Sequence, residues 1–538
     1  MKEESFLKGT FFLTAANFIV KFFGFIYVIP FVAMVGEENY ILFEYAYKPY
    51  VIFISIATLG IPTAFAKYIS KNRELGNYLY IQQILRSGII FMFFSGVISF
   101  LIMYLSAESI AHFLINEKDT TGNSVEDVVF VIKMVSFALL VVPTLSLLRG
   151  TLQGYKLMSP TAYSQIWEQV VRIIIILGGT YVVINLFNGS STTAIGISTF
   201  AAFISALAAL GVLMYYMRKA DLGFKVFVKM PETTEKINYF KMYKEIIWYA
   251  IPVVFVGLSI TIFQTIDTFS INKILLMKGN SLGEAEIVNS IVALVQKIVV
   301  LPLVFSIALS MSLIAYVTQS YEARNNTEVR HWINKSIRVN LFFVLPSTIG
   351  LLMLSGPIYA AVFGTTYARE GGETLMFYAF TPLMFSFYSI TAAILQGMNK
   401  TKILLSTLAI GIAIKLITNY PLVLLLDGSG TAISTYMSFI VMLVIQMVVI
   451  QKEAKYNWVE NLNKMKHVFI SNIWMSICLL PFSIFALSSS SYWENFILVI
   501  AAIAIAFGVY IVSTYKNKSL FEVVPEHRIK KFIKRGSR

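Results

Sequence analysis

Charged residues are scarce in this sequence. Only 13% of its 538 residues are Asp, Glu, Lys or Arg, whereas soluble domains carry roughly a quarter. Hydrophobic residues make up 57%, and the mean hydropathy is +0.72. The apolar runs are continuous over 20 or so residues instead of alternating, which excludes a transmembrane β-barrel. The composition therefore predicts an all-α polytopic membrane protein.

Residues that carry covalent or metal chemistry are also few. The single cysteine, Cys478, excludes an intrachain disulfide and a cysteine-based metal site. No GxxxxGK[ST] motif is present, which excludes nucleotide hydrolysis by a P-loop. The four histidines fall outside the apolar runs, and no nucleophile, base and acid form a recognisable set. We therefore expect a transporter without a cofactor or a resident metal, and not an enzyme.

Fourteen apolar runs are predicted to cross the membrane. They cover residues 10–35, 46–66, 87–105, 128–148, 161–185, 193–215, 247–271, 288–318, 339–355, 374–395, 403–425, 431–450, 468–487 and 495–514. This pattern predicts an N-terminal bundle of six spans in residues 1–215 and a cytoplasmic linker over 216–246. A second six-span bundle follows in 247–450, and two further spans with a basic tail occupy 451–538.

The basic residues predict the orientation of the chain. Most of its 43 Lys and Arg residues lie at the N-terminus, at the C-terminus or on every second connection. The other connections hold only Lys118, Lys273, Lys278 and Arg369. Cytoplasmic loops carry the excess of basic residues, so both termini are predicted to be cytoplasmic. The same bias explains the net charge of +14 without nucleic-acid binding.

A weak internal repeat relates the two predicted bundles. Gln153-Gly154 recurs as Gln396-Gly397 after 243 residues, and the same offset places Arg172 on Lys415. An offset of 249 places Lys48 on Lys297. Because six spans separate the repeats, both would have the same membrane orientation, as in transporters whose two bundles move around a central site.

Eight charged residues fall inside the predicted spans. A cation near the bilayer centre costs about 2.5–3.5 kcal/mol on insertion scales, so such residues face a bundle interior, a wet cavity or a partner. The spacing of Glu168 and Arg172 predicts an ion pair within one helix, and Lys133 is expected to snorkel. Asp267 is expected to pair with Lys415. The eight are Lys21, Lys48, Lys133, Glu168, Arg172, Asp267, Lys297 and Lys415.

Three lysines then remain, namely Lys21, Lys48 and Lys297. If they face one cavity, that cavity has a net positive charge and suits an anionic ligand. In the alternative, carboxylates from the acidic outer loops reach in and pair with them. Glu37, Glu38 and Glu44 lie on the first of these loops.

Three local patterns resemble the multidrug/oligosaccharidyl-lipid/polysaccharide exporter superfamily over nearly the whole chain. Within it, the chain is similar to MurJ-like lipid II flippases of Gram-positive type and to related polysaccharide and spore-cortex exporters. The patterns are Lys8-Gly9-Thr10 with Val20-Lys21-Phe22-Phe23-Gly24-Phe25, then Arg149-Gly150-x-x-Gln153-Gly154 leading to Gln165 and Glu168-Gln169-x-x-Arg172, and Gln296-Lys297-x-x-x-x-Pro302.

The resemblance implies a monomeric flippase of the bacterial cell membrane that works by alternating access. It implies a cationic cavity, with Lys21, Lys48 and Lys297 as substrate-binding residues, for an undecaprenyl-pyrophosphate-linked saccharide, with lipid II as the expected substrate. It also implies a groove for the polyprenyl tail formed with the last two spans. Lys21 and Lys297 stand where many relatives carry arginine, and Tyr27 stands near the place of a second arginine.

The resemblance leaves two alternatives open. The first is a cation-coupled multidrug antiporter of the same superfamily, and the second is an exporter of another lipid-linked polysaccharide, for capsule or spore cortex. Some relatives bind sodium through an acid in the seventh span. Asp267, Asn419 and Thr435 match that pattern as a weak sodium-site candidate, although Lys415 is placed to supply the cation internally.

Single cysteines test the predicted orientation in a chain whose Cys478 is replaced by serine. Cysteines at Lys118, Gly189, Asn280 and Gly428 should react with an impermeant thiol reagent added outside, because the acidic or uncharged connections lie there. Cysteines at Gly76, Lys236, Asn326 and Asn457 should react only after the membrane is permeabilised. A reversed pair of neighbouring loops would contradict the fourteen-span topology.

Overall fold

The computed structural model describes residues 16, 18–58, 60–115, 121–219, 238–463, 465–486 and 491–523. These residues form helices and short connections, with no β-strand among them. The chain divides into two compact units, Met1–Ser290 and Ile291–Arg538. This division follows packing and leaves the predicted bundle boundaries as a prediction. Much of the predicted linker, the segment before Ala16 and the basic tail after Val523 lie outside the described residues.

The first unit contains ten helices among its described residues, together with the first half of an eleventh. They are α1 (Phe18–Val35), α2 (Tyr40–Thr58), α3 (Ile61–Glu74), α4 (Tyr78–Leu105), α5 (Ala107–Leu114), α6 (Val125–Ser136), α7 (Val142–Gly154), α8 (Met158–Tyr181), α9 (Ser191–Lys219), α10 (Tyr239–Lys278) and α11 (Leu282–Val300).

The second unit contains the rest of α11 and eleven further helices in the part of the chain that the structure describes. They are α12 (Leu303–Glu322), α13 (Asn326–Met353), α14 (Ser355–Phe363), α15 (Ala368–Tyr378), α16 (Thr381–Gly397), α17 (Thr401–Leu426), α18 (Gly430–Ala454), α19 (Trp458–Asn463), α20 (Lys466–Ala486), α21 (Tyr492–Lys516) and α22 (Ser519–Val523).

The described helices agree with the fourteen predicted spans. Twelve helical segments of the described chain are long and apolar enough to cross a membrane. One of them, Thr401–Ala454, runs for 54 residues and contains two predicted spans. The remaining predicted span, 46–66, corresponds to α2 and α3, which a backbone break at Gly60 separates. Gly60 adopts φ +63°, which continues neither helix.

The internal repeat is visible in the helix boundaries. Helices α7 and α16 end at Gly154 and Gly397, and the next helices begin at Met158 and Thr401. Lys156 and Asn399 both adopt a left-handed backbone, with φ of 61° and 59°. Helices α4 and α13 each span 28 residues and are each followed by a short helix. The weak match at Gln153-Gly154 therefore marks a repeated helix–turn–helix corner.

The predicted equivalence of Lys48 and Lys297 is wrong in register. Lys48 lies ten residues before the end of α2 at Thr58, whereas Lys297 lies three residues before the end of α11 at Val300. That difference corresponds to about 10 Å along a helix. Helices α2 and α11 each have 19 residues and match at an offset of 242, which places Lys48 on Ser290.

Glu44 was predicted to lie on an outer loop, and this assignment is wrong. Helix α2 begins at Tyr40, and Glu44 is fully buried within it. Its carboxylate accepts a hydrogen bond of 2.8 Å from the Tyr40 hydroxyl. The acidic residue interrupts the apolar run in the sequence, but the helix continues because neighbouring polar groups bind the carboxylate.

A buried polar network attaches α10 and the start of α11 to the first unit. The Glu286 carboxylate accepts hydrogen bonds of 2.8 Å from the Asn123 backbone and side chain, and one of 3.2 Å from the Tyr45 hydroxyl. Asn272 donates a hydrogen bond to Tyr45. Asn289 donates to Asn272 at 2.9 Å. These contacts explain why the packing boundary falls inside α11.

Close approach of α7 to α3 depends on a glycine. A Cβ atom added at Gly150 would lie 2.3 Å from the backbone oxygen of Pro62, a distance that real Cβ atoms do not show. At Gly178, a helical glycine on α8, an added Cβ atom would have no neighbouring atom within 4 Å. Gly150 is therefore needed for the close packing of two helices, whereas a side chain at Gly178 would meet no packing constraint.

Replacing Gly150 by alanine should destabilise the protein, because overpacking against backbone costs about 1–3 kcal/mol or more. We expect G150A to lower the midpoint of thermal unfolding in detergent. The matched control is G178A, which should leave the midpoint unchanged or raise it, because alanine favours a helix by about 1 kcal/mol over glycine. Equal midpoints for the two variants would contradict the close α3–α7 contact.

Candidate functional site

Lys21 is an exposed cation on the first helix. It lies among the exposed aromatic residues Phe18, Phe22 and Phe23 of α1. Within the described part of the chain, Lys21 makes no hydrogen bond or ion pair. Its neighbour Gly24 faces α8, where a Cβ atom would lie 3.5 Å from the Gln169 amide nitrogen. Lys21 therefore presents its charge from a helix that packs on α8.

Lys48 is buried and paired with an acid. Its ammonium lies 3.5 Å from the Glu44 carboxylate one turn earlier on α2, and only 5% of the residue is exposed. It also donates a hydrogen bond of 3.3 Å to the Gln264 side chain on α10. Lys48 is therefore paired with a carboxylate of its own helix, and not with one that reaches in from an outer loop.

Glu168 and Arg172 form the predicted ion pair on α8. Arg149 is a third member of this cluster that was not predicted from the sequence. Arg149 on α7 donates a hydrogen bond of 2.7 Å to the other Glu168 oxygen and one of 2.8 Å to the Ser164 hydroxyl. Arg172 also donates to the Ser205 hydroxyl on α9 at 3.3 Å. Two guanidinium groups and one carboxylate leave an excess of one positive charge.

The sequence contained a signal that could have found Arg149. The predicted span ended at residue 148, so Arg149 was assigned to a loop. In the structure α7 continues to Gly154, which places Arg149 one and a half turns inside the helix. A basic residue near the end of one span and an acid in the next span make such a contact a candidate, although the pattern does not fix the distance between them.

Lys133 lies on α6 and is half-buried. Its ammonium is 5.1 Å from the centre of the Tyr104 ring on α4, within the range of a cation–π interaction. The lysine is therefore directed at an aromatic ring of its own unit. Among the residues that the structure describes, Lys133 forms no ion pair with a carboxylate, so it serves as a comparison for the other intramembrane lysines.

The second unit places a chain of hydrogen bonds beside Lys297. Lys297 is half-buried on α11, and its neighbour Gln296 donates to the Tyr378 hydroxyl at 3.3 Å. That hydroxyl lies 2.7 Å from the Thr431 hydroxyl. The Lys415 ammonium donates to the Thr431 carbonyl at 2.8 Å. The structure thus links the neighbour of Lys297 to Lys415 by contacts that involve four helices, α11, α15, α18 and α17.

Asp267 and Lys415 are both fully buried, at 1% and 0% exposure. Asp267 belongs to the first unit and Lys415 to the second, so their pairing stays a prediction. Of the sodium-site candidates, Asn419 is buried on α17, and Thr435 accepts a hydrogen bond of 2.9 Å from Lys415. The Thr435 hydroxyl therefore already binds an ammonium. No group of three His, Cys, Asp or Glu side chains gathers among the described residues.

The charges of the first unit can bind an anion within the predicted spans. The Arg149–Glu168–Arg172 cluster and Lys21 each add one uncompensated positive charge, whereas Lys48 and Glu44 cancel. Such charges act strongly on a bound anion, because the surroundings of a membrane span have a low dielectric constant. Within the described part of the first unit, these charged groups include no nucleophile–base pair, and they suit anion binding better than bond-making chemistry.

Comparison with known proteins agrees with this description. A family model described as "Polysaccharide biosynthesis protein" matches residues 6–307, and one described as "MatE" matches residues 252–421. The lipid II flippase MurJ of Bacillus subtilis (strain 168) is 37% identical over 454 residues, which cover 84% of each chain.

Solved structures show the same fold. A structure of lipid II flippase MurJ in an inward closed conformation matches with a TM-score of 0.67, covering 95% of this chain and 99% of the other at 14% identity. A multidrug resistance MATE family transporter, inward-facing, matches with a TM-score of 0.64 over 82% of this chain and 96% of its own. Since its model matches more than half of the sequence, the chain belongs to the polysaccharide biosynthesis protein family.

Proposed function

We propose that the protein is a flippase that moves an undecaprenyl-pyrophosphate-linked saccharide, lipid II, from the inner to the outer leaflet by alternating access. The Bacillus subtilis relative is named for this activity, and its similarity extends over most of both chains. The family description, polysaccharide biosynthesis, agrees with a lipid-linked saccharide as cargo.

One observation carries the proposal: the first unit holds more intramembrane cations than acids. Lys21 has no acidic partner among the described residues, and Arg149 and Arg172 share one carboxylate. An isolated cation in a membrane span costs several kcal/mol unless water, an acid or a bound anion compensates it. A pyrophosphate supplies that compensation and accepts several charged hydrogen bonds at once.

The residues have different roles in this proposal. Lys21 and Lys297 bind the pyrophosphate directly, and lysine supplies charge without the two-pronged geometry of arginine. Lys48 contributes as a third cation, but the pyrophosphate competes there with Glu44. The last two spans, on α20 and α21, form a groove for the polyprenyl tail.

The setting of the protein follows from the same proposal. It is a monomer of the bacterial cell membrane with both termini cytoplasmic, and it contacts membrane lipids and the lipid-linked substrate. No nucleic acid and no cofactor take part. Export of a different lipid-linked polysaccharide, for capsule or spore cortex, would use the same pyrophosphate contacts and differ in the sugar.

A cation-coupled multidrug antiporter is the second candidate, favoured by the "MatE" match over residues 252–421. Such a mechanism needs a carboxylate that can release and bind the coupling cation. Within the predicted N-terminal bundle, residues 1–215, Glu168 is bound by two arginines and Glu44 by Lys48. Helix α1 contains no acid between Phe18 and Val35. These contacts make the flippase the better-supported function.

Substitution of Lys21 and Lys297 tests the flippase site. Removing one charged hydrogen bond costs about 1.5–3 kcal/mol, which is roughly tenfold or more in affinity. K21Q and K297Q should be inserted and abundant but should fail to support growth where this protein is the only flippase. K21R and K297R should restore growth, because the charge is kept. K133Q is the matched control and should grow normally.

The assay is complementation, with abundance checked by immunoblotting. In the same strains, depletion should make lipid II accumulate in preference to other lipid-linked saccharides. If the double variant with glutamine at both positions complements fully, the lysines are structural and the anion site is wrong. If a capsule or spore precursor accumulates instead, lipid II is the wrong substrate, but the protein is still a flippase of lipid-linked saccharides.

Asp267 and Lys415 are predicted to form a functional pair. Each is buried, so neutralising one leaves the other charge without its proposed partner and should reduce activity or abundance. The double variant D267N/K415M should lose less than the sum of the two single variants. Additive losses in this double-mutant cycle would rule out the pairing and favour the sodium-site hypothesis.

A further inference from the structure

Arg149, Glu168 and Arg172 form a polar cluster that the lysine site does not use. The side chains of these three residues are 15%, 14% and 20% exposed. Glu168 and Arg172 lie about 15 and 21 Å along α8 from its start at Met158, at 1.5 Å per residue. Arg149 lies about 8 Å before the end of α7 at Gly154. The cluster therefore extends from the helix–turn–helix corner towards the middle of the two helices.

The cluster occupies the side of α8 away from its apolar outer face. The strongly exposed apolar and aromatic residues of α8 recur at helical spacing on one face; they are Tyr163, Trp167, Val170, Ile174 and Tyr181. Glu168 and Arg172 lie off that face, and Arg172 bonds to Ser205 on the neighbouring helix α9. The partly exposed side chains of the cluster therefore lie off the apolar outer face of α8.

The cluster lies beside the helix that carries Lys21. Helix α1 packs against α8, the helix that carries Glu168 and Arg172. Gly24 of α1 faces Gln169, the residue after Glu168. Lys21 and the guanidinium groups thus belong to neighbouring helices of the same unit. An anion bound near one of them has a second positive site within the same part of the structure.

In each arginine of the cluster, the Nη1 group takes no part in the hydrogen bonds of the cluster. The bonds to Ser164, Ser205 and Glu168 use the Nε and Nη2 atoms of Arg149 and Arg172. Within the described residues, neither Nη1 atom has an acceptor assigned to it. A guanidinium with one edge held by a carboxylate and another edge open is preorganised to bind a second oxyanion.

We propose that Arg149 and Arg172, bridged by Glu168, form a second positioning site for the substrate pyrophosphate inside the first unit. This inference rests on the flippase function proposed above. Glu168 holds the two guanidinium groups in place and offsets one of their charges. A transport site must bind strongly enough to load its substrate and weakly enough to release it. The Glu168 carboxylate sets the balance between binding and release, because it offsets part of the positive charge that binds the pyrophosphate.

The role of Glu168 gives a test that a purely structural ion-pair cluster would fail. Binding of undecaprenyl pyrophosphate to the full-length protein in lipid nanodiscs is measured for each variant, with undecaprenol as the uncharged reference. R172Q should weaken binding about tenfold, and R172K less, because lysine keeps the charge and loses the fork. E168Q should tighten binding about tenfold and slow transport, because one opposing charge is removed.

Thermal unfolding of each variant separates folding from binding. If R172Q and E168Q unfold earlier but bind undecaprenyl pyrophosphate like the wild type per folded molecule, the cluster is structural and the inference is overturned. K133Q is the control and should match the wild type in both measurements. If E168Q does not fold, R172K alone decides, since an affinity equal to wild type would contradict the site.

The lysine variants separate this inference from the proposed function. If K21Q and K297Q weaken binding and the cluster variants do not, only the second site is wrong. If the cluster variants change binding and the lysine variants do not, the lysine site is wrong and the cluster is the principal anion site. If the wild-type protein does not prefer undecaprenyl pyrophosphate to undecaprenol, the flippase function and this inference both fail.

Discussion

The cost of placing charge in a low-dielectric environment constrains this structure more than any other interaction. Each intramembrane ionisable group must be paired, directed at a polar space or compensated by a ligand. The described residues show the first two solutions. Glu44 neutralises Lys48, Glu168 binds two arginines, and Lys415 donates to oxygens of Thr431 and Thr435. We propose that the substrate pyrophosphate compensates the positive charge that these contacts leave unbalanced.

The order of the helices is repeated in the two halves of the chain, but the charged residues at matching positions have different surroundings. Arg172 and Lys415 lie at matching positions in α8 and α17, fourteen residues after the helix starts. Arg172 shares a carboxylate and is partly exposed, whereas Lys415 is fully buried among hydroxyl and carbonyl oxygens. The matching helices therefore support two roles: an accessible cation for a ligand in one unit, and an internal cation in the other.

Sequence periodicity and composition predicted the helices, because a continuous apolar run of span length has few other stable conformations in a membrane. The Glu168–Arg172 pair was also predictable, since both residues lie on one helix at i,i+4. Contacts between different helices were not predictable from the sequence. Arg149 reaches Glu168 across 19 residues of chain, and the sequence gives no distance between them. Glu44 interrupts an apolar run, so its place inside α2 depends on Tyr40 and Lys48 binding it. The register of Lys48 and Lys297 failed because α2 and α11, each 19 residues long, match at an offset of 242 and not 249.

Movement of lipid II between leaflets is the central claim, and reconstituted vesicles test it most directly. Purified protein would be placed in liposomes that contain lipid II with a fluorescent headgroup, and a membrane-impermeant reductant would be added outside. The account predicts that nearly all of the fluorescence is lost with the wild-type protein and that the variant carrying both K21Q and K297Q loses only the outer-leaflet share. Loss of the outer-leaflet share alone with the wild-type protein would contradict the account.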